Sequence, residues 1–149
     1  DMQTYIMDSI CLQNEILCLR ALLQQINVQA RITYRTKSVH STLKKIQMRK
    51  LKHISEVNDI NAIRIITKSN DPSECYIILQ RIHRNWFFLF EKNYIAFPKK
   101  NGYKSLHTTI VLNSKLIEIQ IRTEDMDHEA NFGKAAHWKY KNARSDFAH

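Results

Sequence analysis

Glycine, proline and cysteine are scarce in this chain of 149 residues. Two glycines and two prolines leave few positions for broken backbone, so we expect long helices and strands joined by tight turns. The three cysteines are odd in number and lack the close spacing of a zinc site, which argues against a disulfide framework and against structural zinc. A reduced, cytoplasmic setting is therefore expected.

The sequence also lacks a membrane segment and a signal-peptide pattern. No apolar run approaches the roughly 18 residues that a transmembrane helix needs. The chain begins at Asp1 without an initiator methionine, so we expect a fragment of a longer protein. Its length and its hydrophobic content of 44% predict one domain over residues 1–149, with no membrane partner.

Acidic residues are few relative to basic ones. The 23 lysines and arginines outnumber the 14 acidic residues and give a formal net charge of +9. A charge of this sign favours an anionic partner, such as a nucleotide, a nucleic acid or an anionic surface. It does not choose among these partners.

The hydrophobic pattern predicts an α+β fold, with a mixed sheet of about five strands flanked by helices. Helices are predicted over residues 1–26 as an N-terminal packing element, over 38–50, from a start at 70–74 to about Phe88, and from Thr123 to about Lys141. Strands are predicted over 28–34, 57–67, 93–98, 107–112 and 116–122.

The strand predicted over 116–122 alternates strictly between apolar and polar residues. Its two faces carry Ile117, Ile119 and Ile121 on one side, and Glu118, Gln120 and Arg122 on the other. We interpret the polar face as one whose side chains bind a ligand and do not pack into the core. An exposed polar face of an edge strand would give the same pattern.

Two further segments suggest phosphate and metal binding. If a helix begins near Ser38, Ser41 and Lys45 share one helical face and Lys37 lies beside its amino terminus, an arrangement that suits phosphate. Asp59 heads an apolar strand, where a carboxylate suits Mg²⁺. A solvated basic helix face and a capping aspartate are the alternatives for these patterns.

Residues 99–107 read Lys-Lys-Asn-Gly-Tyr-Lys-Ser-Leu-His. Gly102 permits a tight turn, and that turn can hold Tyr103 out as a flat surface for stacking a base. Lys99 and His107 can face phosphate. A lysine-rich hairpin turn without a ligand is the alternative.

These segments together resemble the synthetase domain of the RelA/SpoT family. The similar motifs are Tyr-Ile-Ala-x-Pro-Lys-x-Asn-Gly-Tyr-x-Ser-Leu-His-Thr-Thr from Tyr94, Glu-x-Gln-Ile-Arg-Thr from Glu118, and Gly-x-Ala-Ala-His-Trp-x-Tyr-Lys from Gly133. Enzymes of this family make the alarmones guanosine tetra- and pentaphosphate. The resemblance implies a nucleotidyltransferase-like fold and transfer of pyrophosphate from ATP to the 3′-hydroxyl of GDP or GTP.

The resemblance also implies roles for individual residues. Asp59 and Glu118 would hold Mg²⁺, or Mn²⁺ in its place, and Glu118 would accept the proton of the attacking hydroxyl. ATP would be bound by Arg35, Lys37, Ser41, Lys45 and Arg64. The acceptor nucleotide would be bound by Lys99, Asn101, Tyr103, His107, Gln120 and Arg122. A tRNA or ribosome partner would act through regions outside this chain.

The sequence departs from the family pattern in three places. Lys104 replaces a glutamine, and only Lys92 is left of the Pro-Gly and the Arg-x-Lys-Asp or acidic motif that precede Tyr94 in the family. In the last helix, a histidine and an acid of the family pattern become Asp127 and Asn131. These departures leave two alternatives open: an adenine nucleotide or a tRNA 3′ end as the acceptor, or a catalytically inactive module that binds nucleotide or RNA.

Overall fold

A computed structural model of the chain describes residues 12–38, 59–134 and 136. The strands among these residues are β1 (Ala30–Ser38), β2 (Asp59–Thr67), β3 (Phe88–Asn93), β4 (Leu106–Leu112) and β5 (Lys115–Thr123). The helices are α1 (Gln13–Gln25), α2 (Pro72–Asn85) and α3 (Glu124–Phe132). The predicted α+β class is confirmed, while most of the helix predicted over 38–50 lies outside the described residues.

The five strands form one mixed sheet in the order β1-β2-β5-β4-β3. The pair β2 and β5 is parallel, and the other three pairs are antiparallel. The predicted mixed sheet of about five strands is therefore confirmed. Because β5 is the middle strand, the alternative that its polar residues mark an edge strand is wrong.

One face of the sheet packs against α1 and α2 to form the core. Ile117, Ile119 and Ile121 of β5 are fully buried there, together with leucines of α1 and isoleucines of α2. Burial of each such side chain is worth about 1.5–3 kcal/mol relative to exposure. Within the part of the chain that the structure describes, no helix is both long and apolar enough to cross a membrane.

Helix α2 begins as its sequence predicts and ends earlier. Asp71 caps it by accepting a hydrogen bond from the backbone N–H of Ser73 at 3.0 Å, and Pro72 occupies the first helical position. The predicted end near Phe88 is wrong, because the helix stops at Asn85. The aromatic run that follows has high strand propensity, and Phe88 pairs with Ile110 of β4.

The strand predicted over 93–98 is also wrong. Strand β3 ends at Asn93, whose Oδ1 accepts hydrogen bonds from the backbone N–H groups of Ile95 at 3.1 Å and Ala96 at 2.9 Å. Such local bonds compete with a strand ladder and fold the chain into a turn. The segment that departs from the family pattern, with Lys92, is thus the edge strand β3.

Asparagine and serine take several of the turn positions that glycine usually fills. Asn113 and Ser114 have φ angles of 53° and 61° and form the two-residue loop between β4 and β5. Positive φ at both loop residues is the geometry of a type I′ hairpin turn. Asn27, with φ of 57°, follows α1 in the same way. These tight connections agree with the scarcity of glycine.

Helix α3 begins where it is predicted and is interrupted within its predicted range. The Oγ1 of Thr123 accepts from the backbone N–H of Met126 at 3.2 Å and caps its start, as the acids of the first turn also favour. The helix ends at Phe132, and Gly133 follows it. The prediction of a continuous helix to Lys141 is therefore wrong, because the helix is interrupted at this glycine. Residues 137–149, with the predicted basic last turn, lie outside the described residues.

Candidate nucleotide site

The face of the sheet opposite the core gathers polar residues from three strands. Arg64 of β2 lies opposite Gln120 of β5, and Gln120 lies opposite His107 of β4. Cross-strand partners project to the same face of a sheet. Thr33 of β1 lies opposite Arg64 and extends the row. The topology therefore places three predicted site residues, which are far apart in sequence, side by side.

Some predicted site residues are described by their backbone alone. Arg35 lies opposite Ala62, which in turn lies opposite Glu118, so that β1 brings Arg35 into register with the predicted catalytic acid. Lys37 lies two residues further along β1, and Asp59 begins β2. The side chains of Arg35, Lys37 and Asp59 fall outside what the structure describes. Ser41 and Lys45 lie outside the described residues altogether.

The polar face of β5 is more buried than its sequence pattern indicates. Glu118 is half-buried, but Gln120 is 7% exposed and Arg122 only 1% exposed. The expectation that this face does not pack is therefore wrong for Gln120 and Arg122. Tyr103 and Asp127 of α3 contact Arg122, and Arg122 and Glu118 contact Gln120.

Arg122 connects the covering residues to β5. Its Nη2 donates to the hydroxyl of Tyr103 at 2.8 Å and to Oε1 of Gln120, and its Nη1 donates to Oδ1 of Asp127 at 3.4 Å. Gln120 in turn donates through Nε2 to Oε1 of Glu118 at 3.0 Å. Arg122 thus lies beneath the site, where it orients Tyr103 and Gln120.

Tyr103 is packed into this network and is not held out as an exposed surface. Its hydroxyl lies 2.7 Å from Nε2 of His107, and its ring lies near two cations, Lys99 Nζ at 5.4 Å and Arg122 Cζ at 5.2 Å from the centroid. Burial raises the pKa of the Tyr103 phenol, and the charge of Arg122 opposes that rise. A base that stacks on this ring would share it with these cations.

The turn before Tyr103 has the geometry that its glycine predicts. Gly102 has a φ of +88°, which favours glycine, and its N–H donates to the carbonyl of Lys99 at 2.8 Å. Asn101 Oδ1 accepts from the N–H of Tyr103 at 3.0 Å, so this side chain shapes the turn. Tyr94, which the sequence pattern did not single out, lies under Lys99 Nζ at 4.9 Å.

Asp127 is the main residue that sequence reasoning missed. It is 5% exposed, and its carboxylate contacts Arg31 Nη2 at 3.0 Å, Asn131 Nδ2 at 3.3 Å and Arg64 Nη1 at 3.7 Å, besides Arg122. Its place in the first turn of a helix directly after β5 is the sequence signal that could have identified it. Nearby, a hydrogen bond from Arg31 lowers the pKa of Glu124.

A cavity opens beside Arg64 on this side of the molecule. Its volume is about 320 Å³, which is at the small end of the range for small-molecule sites. It is lined by Thr33, Tyr34, Ala62, Ile63, Arg64, Gln120 and Asn131. Arg64 Nε is buried without a hydrogen-bond partner among the described residues, while the Arg64 side chain as a whole is 30% exposed and lines the cavity.

One predicted metal ligand, Glu118, has a described side chain on the polar face. Within residues 12–38 and 59–134, no group of three or more His, Cys, Asp or Glu side chains could hold a metal. Magnesium is commonly bound by one or two carboxylates and completes its shell with water and phosphate oxygens. Glu118, half-buried at the middle of the polar face, suits such a site.

Comparison with known sequences identifies relatives of this chain. The family model described as "Region found in RelA / SpoT proteins" matches residues 34–145. A guanosine-3′,5′-bis(diphosphate) 3′-pyrophosphohydrolase of Borreliella burgdorferi is 48% identical over 123 residues, which cover 80% of this chain and 18% of that protein. A GTP pyrophosphokinase of Photobacterium angustum is 39% identical over 118 residues, which cover 77% of this chain and 16% of that protein. The chain thus spans less than a fifth of either relative.

A solved structure shares the fold over most of its own length. The small alarmone synthetase 1 of Bacillus subtilis, determined with its product pppGpp, superimposes with a TM-score of 0.55 and 25% sequence identity. The match covers 91% of this chain and 78% of that one. The predicted nucleotidyltransferase-like architecture is confirmed by this likeness together with the observed five-stranded sheet.

Proposed function

The chain belongs to the RelA/SpoT family, and from that premise we propose that it transfers pyrophosphate from ATP to the 3′-hydroxyl of GDP or GTP. The products are AMP and guanosine tetra- or pentaphosphate. The observation that carries the proposal is the row of Arg64, Gln120 and His107 on one sheet face, next to Glu118 and a cavity of about 320 Å³. Such a row holds two reactants side by side, which is the main requirement of a transfer reaction.

Relatives of this chain are named for both hydrolysis and synthesis of these nucleotides. Coverage of the long relatives does not separate the two directions, because the chain covers 18% of the pyrophosphohydrolase and 16% of the GTP pyrophosphokinase. The small alarmone synthetase solved with pppGpp favours synthesis, because the match covers 78% of its chain. The unit that this chain shares with known proteins is therefore close in extent to a synthetase, and we assign the synthetic direction to it.

ATP is assigned to the cavity between β1, β2 and α3. Arg64 lines this cavity, and its guanidinium suits an adenine ring or a phosphate oxygen. Arg35 and Lys37 lie on the neighbouring strand β1, where positive charge would balance the triphosphate. Ser41 and Lys45 are proposed to complete phosphate binding.

GDP or GTP is assigned to the other end of the row, beside the turn at residues 99–103. Lys99 and His107 would bind its phosphates, and Tyr103 would contact the guanine. Gln120 lies opposite both Arg64 and His107, so in this assignment it would lie between the two nucleotides. Asn101 and Arg122 serve this subsite indirectly, because Asn101 shapes the turn and Arg122 holds Tyr103.

The proposed reaction forms one bond and breaks one bond. The 3′-oxygen of the acceptor attacks the β-phosphorus of ATP, and the bond between that phosphorus and the oxygen bridging to the α-phosphate breaks. AMP leaves, and the hydroxyl proton passes to the carboxylate of Glu118. Glu118 and Asp59 are the residues that would hold Mg²⁺, which when bound offsets the charge of the transferred phosphates.

The test follows the label of ATP that carries ³²P on its β-phosphate, with purified protein, Mg²⁺ and either GDP or GTP. We expect labelled guanosine tetra- or pentaphosphate and an equal amount of AMP. Asp59→Ala should abolish both products. Asp125→Ala, which removes an exposed acid on α3, is the matched control and should keep turnover.

Three other outcomes would contradict the proposal, and each identifies a different function. Labelled product with ATP or tRNA as the acceptor, and none with GDP or GTP, would change the substrate. Release of pyrophosphate from guanosine tetraphosphate without synthesis would mean that the chain is a hydrolase, with water as the nucleophile. Nucleotide binding without AMP would make the chain a binding module, and binding to long RNA that weakens steeply with salt would identify RNA as its ligand.

A further inference from the structure

One buried carboxylate contacts arginines that belong to both proposed nucleotide subsites. Asp127 Oδ1 lies 3.7 Å from Nη1 of Arg64, which lines the ATP cavity, and 3.4 Å from Nη1 of Arg122, which holds the acceptor side. The two arginines stand on the neighbouring strands β2 and β5. A single oxygen of α3 therefore bridges the two halves of the site.

The other carboxylate oxygen anchors Asp127 itself. Oδ2 accepts from Arg31 Nη2 at 3.0 Å and from Asn131 Nδ2 at 3.3 Å, so β1 and the next turn of α3 fix its orientation. The group is 5% exposed. A buried charge is costly unless it is paired, and three guanidiniums packed together without an acid would repel one another.

The contacts extend from Asp127 to the groups that would touch the acceptor. Arg122 donates to the hydroxyl of Tyr103 and to Gln120, and Gln120 donates to Glu118. Asp127 does not line the cavity, so it does not reach the ATP position directly. Its influence on either nucleotide must pass through the arginines.

We propose that Asp127 is a positioning residue that holds the ATP side and the acceptor side of the site in fixed relation to each other. This inference rests on the proposed function, because it takes the two subsites from it. It also gives a role to the departure from the family pattern in α3. The two changed residues, Asp127 and Asn131, contact each other and belong to this one cluster.

The first test replaces the charge and keeps the shape, as Asp127→Asn. Dissociation constants are measured separately for a non-hydrolysable ATP analogue and for GDP. Each should rise about tenfold or more, which is the worth of one charge-assisted hydrogen bond. Asp125→Asn removes an exposed acid two residues earlier on the same helix and should leave both constants unchanged.

A double-mutant cycle tests the route through Arg64. In an Arg64→Ala background, Asp127→Asn should cause no further loss of affinity for the ATP analogue, because the residue it orients is gone. The same substitution should still weaken GDP binding through Arg122. Additive losses for the ATP analogue would overturn the proposed route.

Stability is followed in parallel, since Asp127→Asn removes a buried charge. A lower melting temperature with both dissociation constants unchanged would mean a purely structural role and would overturn the inference. If the dissociation constant rises for only one of the two nucleotides, the bridging role would be overturned. If Asp127→Asn does not fold, Asp127→Glu replaces it, and both constants should again rise.

The proposed function and this inference fail in different ways. Wild-type protein that binds both nucleotides and forms no AMP would contradict the proposed function, while the response of both constants to Asp127→Asn would still support the inference. If the wild type turns over and Asp127→Asn leaves both dissociation constants unchanged, only the inference is contradicted. Wild-type protein that binds neither nucleotide would contradict both.

Discussion

The apolar and polar faces of the sheet are built from alternate residues of the same strands, and they are covered in different ways. On the apolar face, Ile119 and Ile121 are fully buried under α1 and α2. On the polar face, Arg122 is buried almost as completely. Its neighbours there are polar, and it donates hydrogen bonds to Gln120, Tyr103 and Asp127. Burial alone therefore does not distinguish the core from the candidate site. The two differ in the neighbours of the buried side chains, which are apolar in the core and hydrogen-bonding in the candidate site.

The two faces also differ in how their contacts respond to change. Apolar burial is non-directional and roughly proportional to the buried area, so small shifts of side chains on the apolar face change its stabilising energy little. Hydrogen bonds depend on distance and angle, and loss of one partner leaves the other buried and unsatisfied. We therefore expect substitutions on the apolar face to change the free energy of unfolding, and those on the polar face to change ligand binding and turnover.

Among side chains of the polar face that the structure describes, the largest effect on turnover is expected from Glu118→Gln. It removes the proposed proton acceptor and should lower turnover by about 10²–10⁴-fold, the usual contribution of general base catalysis. The free energy of unfolding should change little, because Glu118 is half-buried and glutamine has nearly the same shape.

The checking measurements are the rate of AMP formation and a denaturant titration of the same sample. Glu74→Gln, on the helix that covers the opposite face, is the control and should keep wild-type turnover. Full turnover by Glu118→Gln would remove Glu118 from the mechanism. A collapse of stability would mean that the two faces do not differ as described.

Ile119→Ala, one residue away, should have the opposite effect. It opens a cavity in the core at a fully buried position and should lower the free energy of unfolding by about 2–5 kcal/mol. Turnover per folded molecule should stay close to that of the wild type. Ile77→Ala, at a position that is 46% exposed, is the matched control and should cost less than about 1 kcal/mol. Equal losses for the two variants would contradict the assignment of the core face.

The smallest predicted effect concerns an ion pair on the apolar side, between Glu15 of α1 and Lys115 of β5, whose charged atoms are 2.8 Å apart. Burial tends to raise the pKa of Glu15, but the bond and charge of Lys115 outweigh it, so the folded-state pKa lies below the ordinary 4.5. The stabilising contribution is therefore complete above pH 4.5 and is lost as the pH falls through the folded-state pKa.

The free energy of unfolding, followed by denaturant titration from neutral to acidic pH, checks this contribution. Glu15→Gln cannot ionise, so it should show a shallower loss of stability in acid than the wild type. Identical acid profiles for the two proteins would mean that the ion pair adds nothing to stability. Turnover per folded molecule at neutral pH should not change.

Much of the fold could be predicted from local sequence. The strict alternation over residues 116–122 identifies β5 and its two faces, and the Asn-Gly pair at Gly102 identifies a tight turn with positive φ. The strand predicted over 93–98 failed, because side-chain hydrogen bonds of Asn93 outweigh hydrophobic periodicity. The predicted last helix is interrupted at Gly133.

The site was only partly predictable, because its residues meet through long-range pairing. Sequence motifs singled out Arg64, His107 and Gln120, but nothing in their spacing indicates that they form one row. Asp127 and Arg31 are 96 residues apart, and their contact depends on β1 and α3 meeting at the same side of the sheet. Local pattern carries no information on such a distance.

By itself, the sequence determined the class of fold, the family, and the candidate residues of the site, since periodicity and motif spacing are local properties of the chain. Only the tertiary structure decided that Arg122 is buried on the polar face, that Tyr103 is packed and not held out, and that Asp127 contacts both Arg64 and Arg122. These features follow from the strand order β1-β2-β5-β4-β3, which sets the partners of each side chain across the sheet.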